Sequence, residues 1–280
     1  MSTTAFGDKL FNKVLTTKAF LFIQGEFFQL TNQAFEKYVK YIQDSPGTKI
    51  PMTYPIGIKE NNEPILSTYE YTKKQLFQKC NYLIMGQLPV NGIYQFVTLI
   101  ESLLVDILRD VLIEFPNKIP NKKKFDYEYV LNATSLQEVK LGLINIVINE
   151  MTYKSPRDFA EDFKNYVGVD LLKKPVFLDY IELKATRDIH IHNQGIANEI
   201  YLSKAGSKAR VKSGQELPVD IIYFLKSYEW CIQMTNVLES ELHKIWYSSD
   251  YIERKKLIND KTKSREQIIE EAEKIARRKK

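Results

Sequence analysis

Between Asn91 and Trp246 the apolar residues recur with the period of an α-helix, and no other feature restricts the fold of this chain so strongly. Phe96, Ile100, Leu103, Ile107 and Val111 fall three or four apart until Pro116 ends the run, which places them on one face of a helix that turns every 3.6 residues. Glu101, Asp106, Arg109 and Asp110 lie on the polar side of the same stretch. Similar spacing returns in Leu136, Val139, Leu143, Ile146 and Val147, in a segment from Pro175 to Asn193, and in a longer one from Pro218 to about Trp246. Ser155 followed by Pro156 opens a shorter helix through Phe159 and Phe163. Serine accepts a bond from an otherwise unpaired N–H, and the N–H that proline lacks is not needed in the first turn. No stretch of this block shows a convincing strand, so it reads as an all-α bundle.

The flanks are less regular. STYE, Ser67 to Glu70, has the spacing of a capping box, and Leu76, Phe77, Cys80, Leu83 and Ile84 follow at helical intervals. This predicts a helix over 67–86 and a second one after Pro89-Val90-Asn91-Gly92. Upstream, TNQAFEKYVKYIQD reads as helix, AFLFIQGEFFQL as helix or strand, and KIPMTYPIGIKENNEPIL, with its prolines and alternation, as an extended connector. SREQ, Ser264 to Gln267, is another capping box ahead of IIEEAEKIARRKK. The expected organisation is a mostly helical extension over 1–88, a helical bundle over 89–248 and a basic helical tail over 249–280.

A chain of 280 residues with 44% hydrophobic content has ample material for a core, which excludes a disordered protein. Its start, MSTTAFGDKLFNK, lacks a basic segment followed by an apolar one, and Glu101, Asp106, Arg109 and Asp110 interrupt the most apolar run. Neither a signal peptide nor a membrane span is expected. Cys80 and Cys231 stand far apart inside apolar runs and read as inert thiols in a reducing cytoplasm. The last thirty residues carry 11 Lys/Arg against 6 Asp/Glu, so the whole net charge of +5 lies there. Such a tail suits a polyanion, or simply a solvated helix.

Two of the three histidines fall in RDIHIHNQG, Arg187 to Gly195. A histidine on a helix is ordinarily packed or solvated, and His190 and His243 take that reading. His192 belongs to the last turn of its helix, ahead of Gly195, where unpaired carbonyls favour an imidazolium able to cycle near neutral pH. A metal site using His190 and His192 needs further ligands, and the chain has no H-x-x-x-H, H-E-x-x-H or paired cysteines. It also lacks G-x-x-x-x-G-K-[ST], G-x-G-x-x-G and G-x-S-x-G. In the remaining reading Arg187 and His192 act as a pair. Five helical steps set them about 140° apart around the axis and about 7.5 Å along it, so they line a surface together rather than stack.

On the R-x4-H motif Arg187-Asp188-Ile189-His190-Ile191-His192, its continuation Asn193-Gln194-Gly195-Ile196 and the helical context, the chain resembles the HEPN superfamily over roughly Asn91 to Trp246. The resemblance implies an all-α HEPN-like bundle and a metal-independent endoribonuclease of the toxin or antiviral-defence kind. The site would sit in the cleft of a homodimer and use no cofactor. His192 would act as acid or base and Arg187 as phosphate clamp, with Asp188 and Asn193 orienting the imidazole or the RNA. Basic segments near the presumed cleft, KKKF at 122–125 and SKAGSKARVK with Lys208, Arg210 and Lys212, are expected to hold RNA, as are Arg277 and Arg278 in the tail. An inhibitory or activating protein partner is also expected. In some toxin relatives a tyrosine two positions after the histidine is where a partner enzyme silences the protein; Gln194 stands there, which puts that control in doubt. The alternative function is a non-catalytic bundle of the same superfamily that dimerises, scaffolds or binds a nucleotide.

Overall fold

In the computed structural model, which describes residues 3–119 and 127–259 together with Ser264, Gln267 and Glu270, the helix expected around residue 100 runs from Leu88 to Glu114 (α3). Its apolar surface extends well beyond one stripe, with Leu103, Leu108 and Leu112 buried on the flanks of the row formed by Ile93, Phe96, Val97, Ile100, Leu104 and Ile107. A helix of that kind has to be surrounded. Around it pack α1 (Thr3–Asp44), α5 (Leu136–Thr152), α6 (Pro156–Val167), α7 (Pro175–His192) and α9 (Ile221–Ile245), with the short α4 (Tyr127–Asn132), α8 (Glu199–Ala205) and α10 (Ser249–Ile258) at the margins. The protein is therefore mostly α-helical. Ser155 caps α6 by accepting the Asp158 N–H, and Gly168 closes that helix in the left-handed conformation.

The N-terminal region settles one open reading and departs from expectation in two places. AFLFIQGEFFQL and TNQAFEKYVKYIQD belong to one helix, α1, whose Phe6, Leu10, Val14, Leu21 and Phe28 enter the same core as α3 and α9. The proposed connector and the STYE capping box are instead the strands β1 (Lys49–Ile58) and β2 (Pro64–Thr72) of an antiparallel hairpin. Thr68, Tyr69, Tyr71 and Thr72 are β-branched or aromatic residues that favour a strand, and pairing with Lys49 to Tyr54 overrides the local capping signal. The working capping box lies five residues later, where Thr72 Oγ1 accepts the Gln75 N–H and the Gln75 side chain accepts the Thr72 N–H. Second, the break expected near residue 88 falls inside continuous helix: α2 (Lys73–Asn81) passes through a π-turn at Tyr82–Gln87 into α3. The widened turn directly precedes Pro89, which cannot donate to a regular α-ladder.

α1 is held at its start by close approach. A Cβ on Gly7 would lie 2.1 Å from the Tyr247 carbonyl oxygen, so this contact requires glycine. Phe6 meets Phe115 and Trp246 edge-on, and Asp8 accepts bonds from Ser248 Oγ, Ser249 Oγ and the Asp250 N–H. Cys231 is buried and burial pushes its thiol up, while Cys80 is half-buried. The SREQ box shows its reciprocal bonds, Ser264 N–H to Gln267 Oε1 and Gln267 N–H to Ser264 Oγ. No helix among the described residues is long and apolar enough to cross a membrane.

Candidate functional site

Arg187 and His192 both ride on α7, which starts at Pro175 and buries Phe177, Ile181, Ala185 and Ile189 against the bundle. The helix ends where the sequence suggested. The N–H groups of Asn193 and Gly195 both reach the Ile189 carbonyl, and Gln194 (φ 53°) and Gly195 (φ 79°) take left-handed conformations. The chain then folds back, with Leu217 N–H donating to the Gly195 carbonyl and His190 Nε2 lying 2.8 Å from the Leu217 carbonyl. Burial lowers the His190 pKa, so the neutral ring donates to that carbonyl. The Asn193 amide donates to the Ile196 carbonyl. It thus helps to close the turn.

Below this turn lies a charged network that the sequence did not announce. Glu182 is 2% exposed. Its Oε1 accepts bonds from Thr186 Oγ1 (2.7 Å), Tyr201 OH (2.9 Å) and Arg210 Nε (3.0 Å), and its Oε2 accepts one from Tyr223 OH (2.7 Å). The Arg210 guanidinium also covers the Tyr223 ring and donates to the Pro218 carbonyl. Burial, reinforced by Glu182, pushes the Tyr201 hydroxyl up to about 12 and that of Tyr223 well above its ordinary value, which keeps both as donors. Arg210, expected to hold RNA, is therefore committed to a buried carboxylate that needs a cation. Glu182 offered one sequence clue: it sits between Ile181 and Leu183, close to the inward stripe of its helix.

Arg187 lies at the edge of the contact between α7 and α3, within a second cluster. Its Nη2 is 2.7 Å from Glu101 Oε2 on α3, and Lys184, one turn earlier, binds the other oxygen of the same carboxylate. Arg187 Nε is 3.3 Å from Asp188 Oδ1, an ion-pair distance, yet this buried N–H has no hydrogen-bond acceptor among the described residues. Asp188 pairs in turn with Lys204 of α8 at 3.1 Å. Three cations thus face two carboxylates. Burial lowers Lys184 to about 8; Asp188 opposes this while Arg187 and Lys204 add to it. Glu101 was legible as a polar position of α3, but its pairing with Arg187 and Lys184 was not.

His192 is exposed in the last turn, and among the described residues no hydrogen bond or ion pair joins it to Arg187. Three isoleucines surround it in sequence and stay open to solvent, Ile191, Ile196 and Ile200. His190 and His192, two apart on a helix, face different directions, and among the described residues no group of three or more His, Cys, Asp or Glu is placed to hold a metal. Lys208 pairs with Asp179 at 2.7 Å, and Lys212 is exposed. Arg277, Arg278 and the KKKF run lie outside the described residues. A cavity of about 500 Å³ opens between α1 and α9, lined by Phe22, Phe28, Phe224 and Tyr228; none of its lining residues belongs to α7. No family model, no curated protein and no solved structure matches this chain.

Proposed function

We propose that this protein is a metal-independent RNA endonuclease of the toxin or antiviral-defence kind, acting in the cytoplasm through Arg187 and His192. The observation that carries the reading is a braced guanidinium and an open imidazole within the last two turns of one helix. RNA brings its own nucleophile, the 2′-OH. A base removes the 2′-OH proton, the oxygen attacks phosphorus, and an acid protonates the departing 5′-oxygen, leaving a 2′,3′-cyclic phosphate. His192 serves as one of these groups. His192 of a second copy serves as the other, with the exposed Ile191, Ile196 and Ile200 supplying apolar surface for that contact. Arg187 holds the phosphate and the charge that builds on it, while Glu101 and Asp188 fix its orientation in advance. The excess cation of the Lys184, Arg187 and Lys204 cluster favours a polyanion, and Lys212 extends the basic surface.

One observation favours a second reading, a non-catalytic dimerising or scaffolding bundle: two carboxylates already lie at ion-pair distance from Arg187. Incubating purified protein with mixed tRNA, ribosomal RNA and single-stranded DNA in EDTA separates the two. RNA-only cleavage to cyclic phosphate ends, lost by about 10² or more in Arg187→Ala and His192→Ala, is the expected result. Cleavage that survives both substitutions, or no cleavage at all, favours the scaffold.

A further inference from the structure

The β1–β2 hairpin has two outer edges of unequal character. Lys59 N–H donates to the Glu63 carbonyl at 2.8 Å, which makes that pair a bonded one, and bonded and non-bonded pairs alternate along an antiparallel ladder. Counting through the register, with Ile56 as the extra residue of the bulge, puts Pro55↔Leu66, Thr53↔Thr68 and Pro51↔Glu70 at non-bonded positions. The backbone groups of these six residues therefore point outward. On the β1 side Pro51 and Pro55 have no N–H to offer, and the bulge adds a kink. On the β2 side Leu66, Thr68 and Glu70 each present an N–H and a C=O to solvent, and all three are exposed. An open edge of that kind is a template for another strand.

We propose that the outer edge of β2 is a self-pairing surface, on which β2 of a second copy adds antiparallel about a two-fold axis at Thr68. The strand is complementary to itself in that arrangement. Thr68 faces Thr68, Leu66 faces Glu70, and Ser67 faces Tyr69, so no charge meets its like. Three bonded pairs form, and the exposed side chains of Leu66 and Tyr69 gain neighbours across the axis. A hairpin of two strands is marginal by itself; here only its base is packed, where Ile50 joins Ile42 and Leu76. Four strands remedy this. Since one edge pairs and the other is blunted, the sheet closes at two copies instead of growing.

This surface is independent of the α7 site and of the ribonuclease reading, and a chain that used both surfaces would assemble beyond a dimer. The test is the mass of the full-length protein by light scattering and sedimentation across micromolar concentrations, for wild type, Thr68→Pro and Thr53→Pro. Both prolines remove an outward N–H and spare the ladder between β1 and β2. The expected result is self-association in wild type and in Thr53→Pro. Thr68→Pro halves the mass, through a dissociation constant raised about tenfold or more. A monomeric wild type, a Thr68→Pro mass equal to wild type, or equal dissociation by both prolines overturns the proposal.

Discussion

Replacing Arg210 by Met isolates the charge it brings to the buried network, because methionine keeps most of the side-chain volume. Glu182, 2% exposed, would retain hydroxyl bonds from Thr186, Tyr201 and Tyr223 but lose its only cation within the network. Breaking a buried ion pair from one side costs about 3–5 kcal/mol, and removing the guanidinium from the Tyr223 face, 3.6 Å from the ring centre, adds about 0.5–2 kcal/mol. Domains have about 5–15 kcal/mol in all, so the variant should fold at 25 °C with a much lower urea midpoint and an unchanged slope. The companion variant Glu182→Gln removes the charge that required Arg210, so the double substitution should be less harmful than the two singles summed, with a coupling of about 1–3 kcal/mol. Urea titrations of the four proteins, followed by circular dichroism, measure both quantities. A loss below about 1 kcal/mol for Arg210→Met, or additive singles, would refute the assignment of this network as a charge-compensated core.

Two further outcomes follow from packing and from proton linkage. Gly7→Ala places a Cβ 2.1 Å from a backbone carbonyl oxygen that cannot rotate away; it should cost about 1–3 kcal/mol or more, read as a lower melting temperature, and an unchanged melt would contradict the close approach. Lys184 ordinarily titrates at 10.5 and is held at about 8 in the folded protein, so between these values the unfolded chain binds more protons and stability from this group rises with pH. The unfolding free energy of wild type minus that of Lys184→Met should therefore rise from pH 8 towards 10, and a constant difference would show that Lys184 is not depressed.

The legible parts of the fold were those whose signals are local. α5, α6, α7 and α9 follow apolar stripes, and Ser155, Pro156 and Pro175 mark starts that depend on neighbours a few residues away. α1 was obscure because Phe20, Phe22, Ile23, Phe27 and Leu30 are largely exposed, which blurs the contrast that periodicity needs. STYE at Ser67 looked like a capping box and TKKQ at Thr72 was missed, although the two are equivalent as strings, and cross-strand partners 13 to 23 residues away decide between them. At the site, the position of His192 at a helix end was readable from Gly195. The commitments of Glu101, Arg210 and Asn193 were not, because each partner is fixed by tertiary packing or by the exact path of a turn.

Those commitments bear on what limits the proposed chemistry. Arg187 is braced from α3, the helix at the centre of the core, and the end of α7 is pinned through His190 to Leu217, Asn193 to Ile196 and Glu182 to Arg210. Little ordering is left to perform when a phosphate arrives, so the cost of positioning is met during folding. Among the histidines, one chain brings only His192 to this surface: His190 is bound to a carbonyl, and His243 accepts the Ser248 N–H at the far end of α9. On the ribonuclease reading, the rate then depends on delivery of a second titrating group to an already rigid surface. Cleavage should accordingly rise with the square of protein concentration while the α7 surfaces are mostly unpaired, and level off once they are filled; strict proportionality at all concentrations would locate the second group within a single chain.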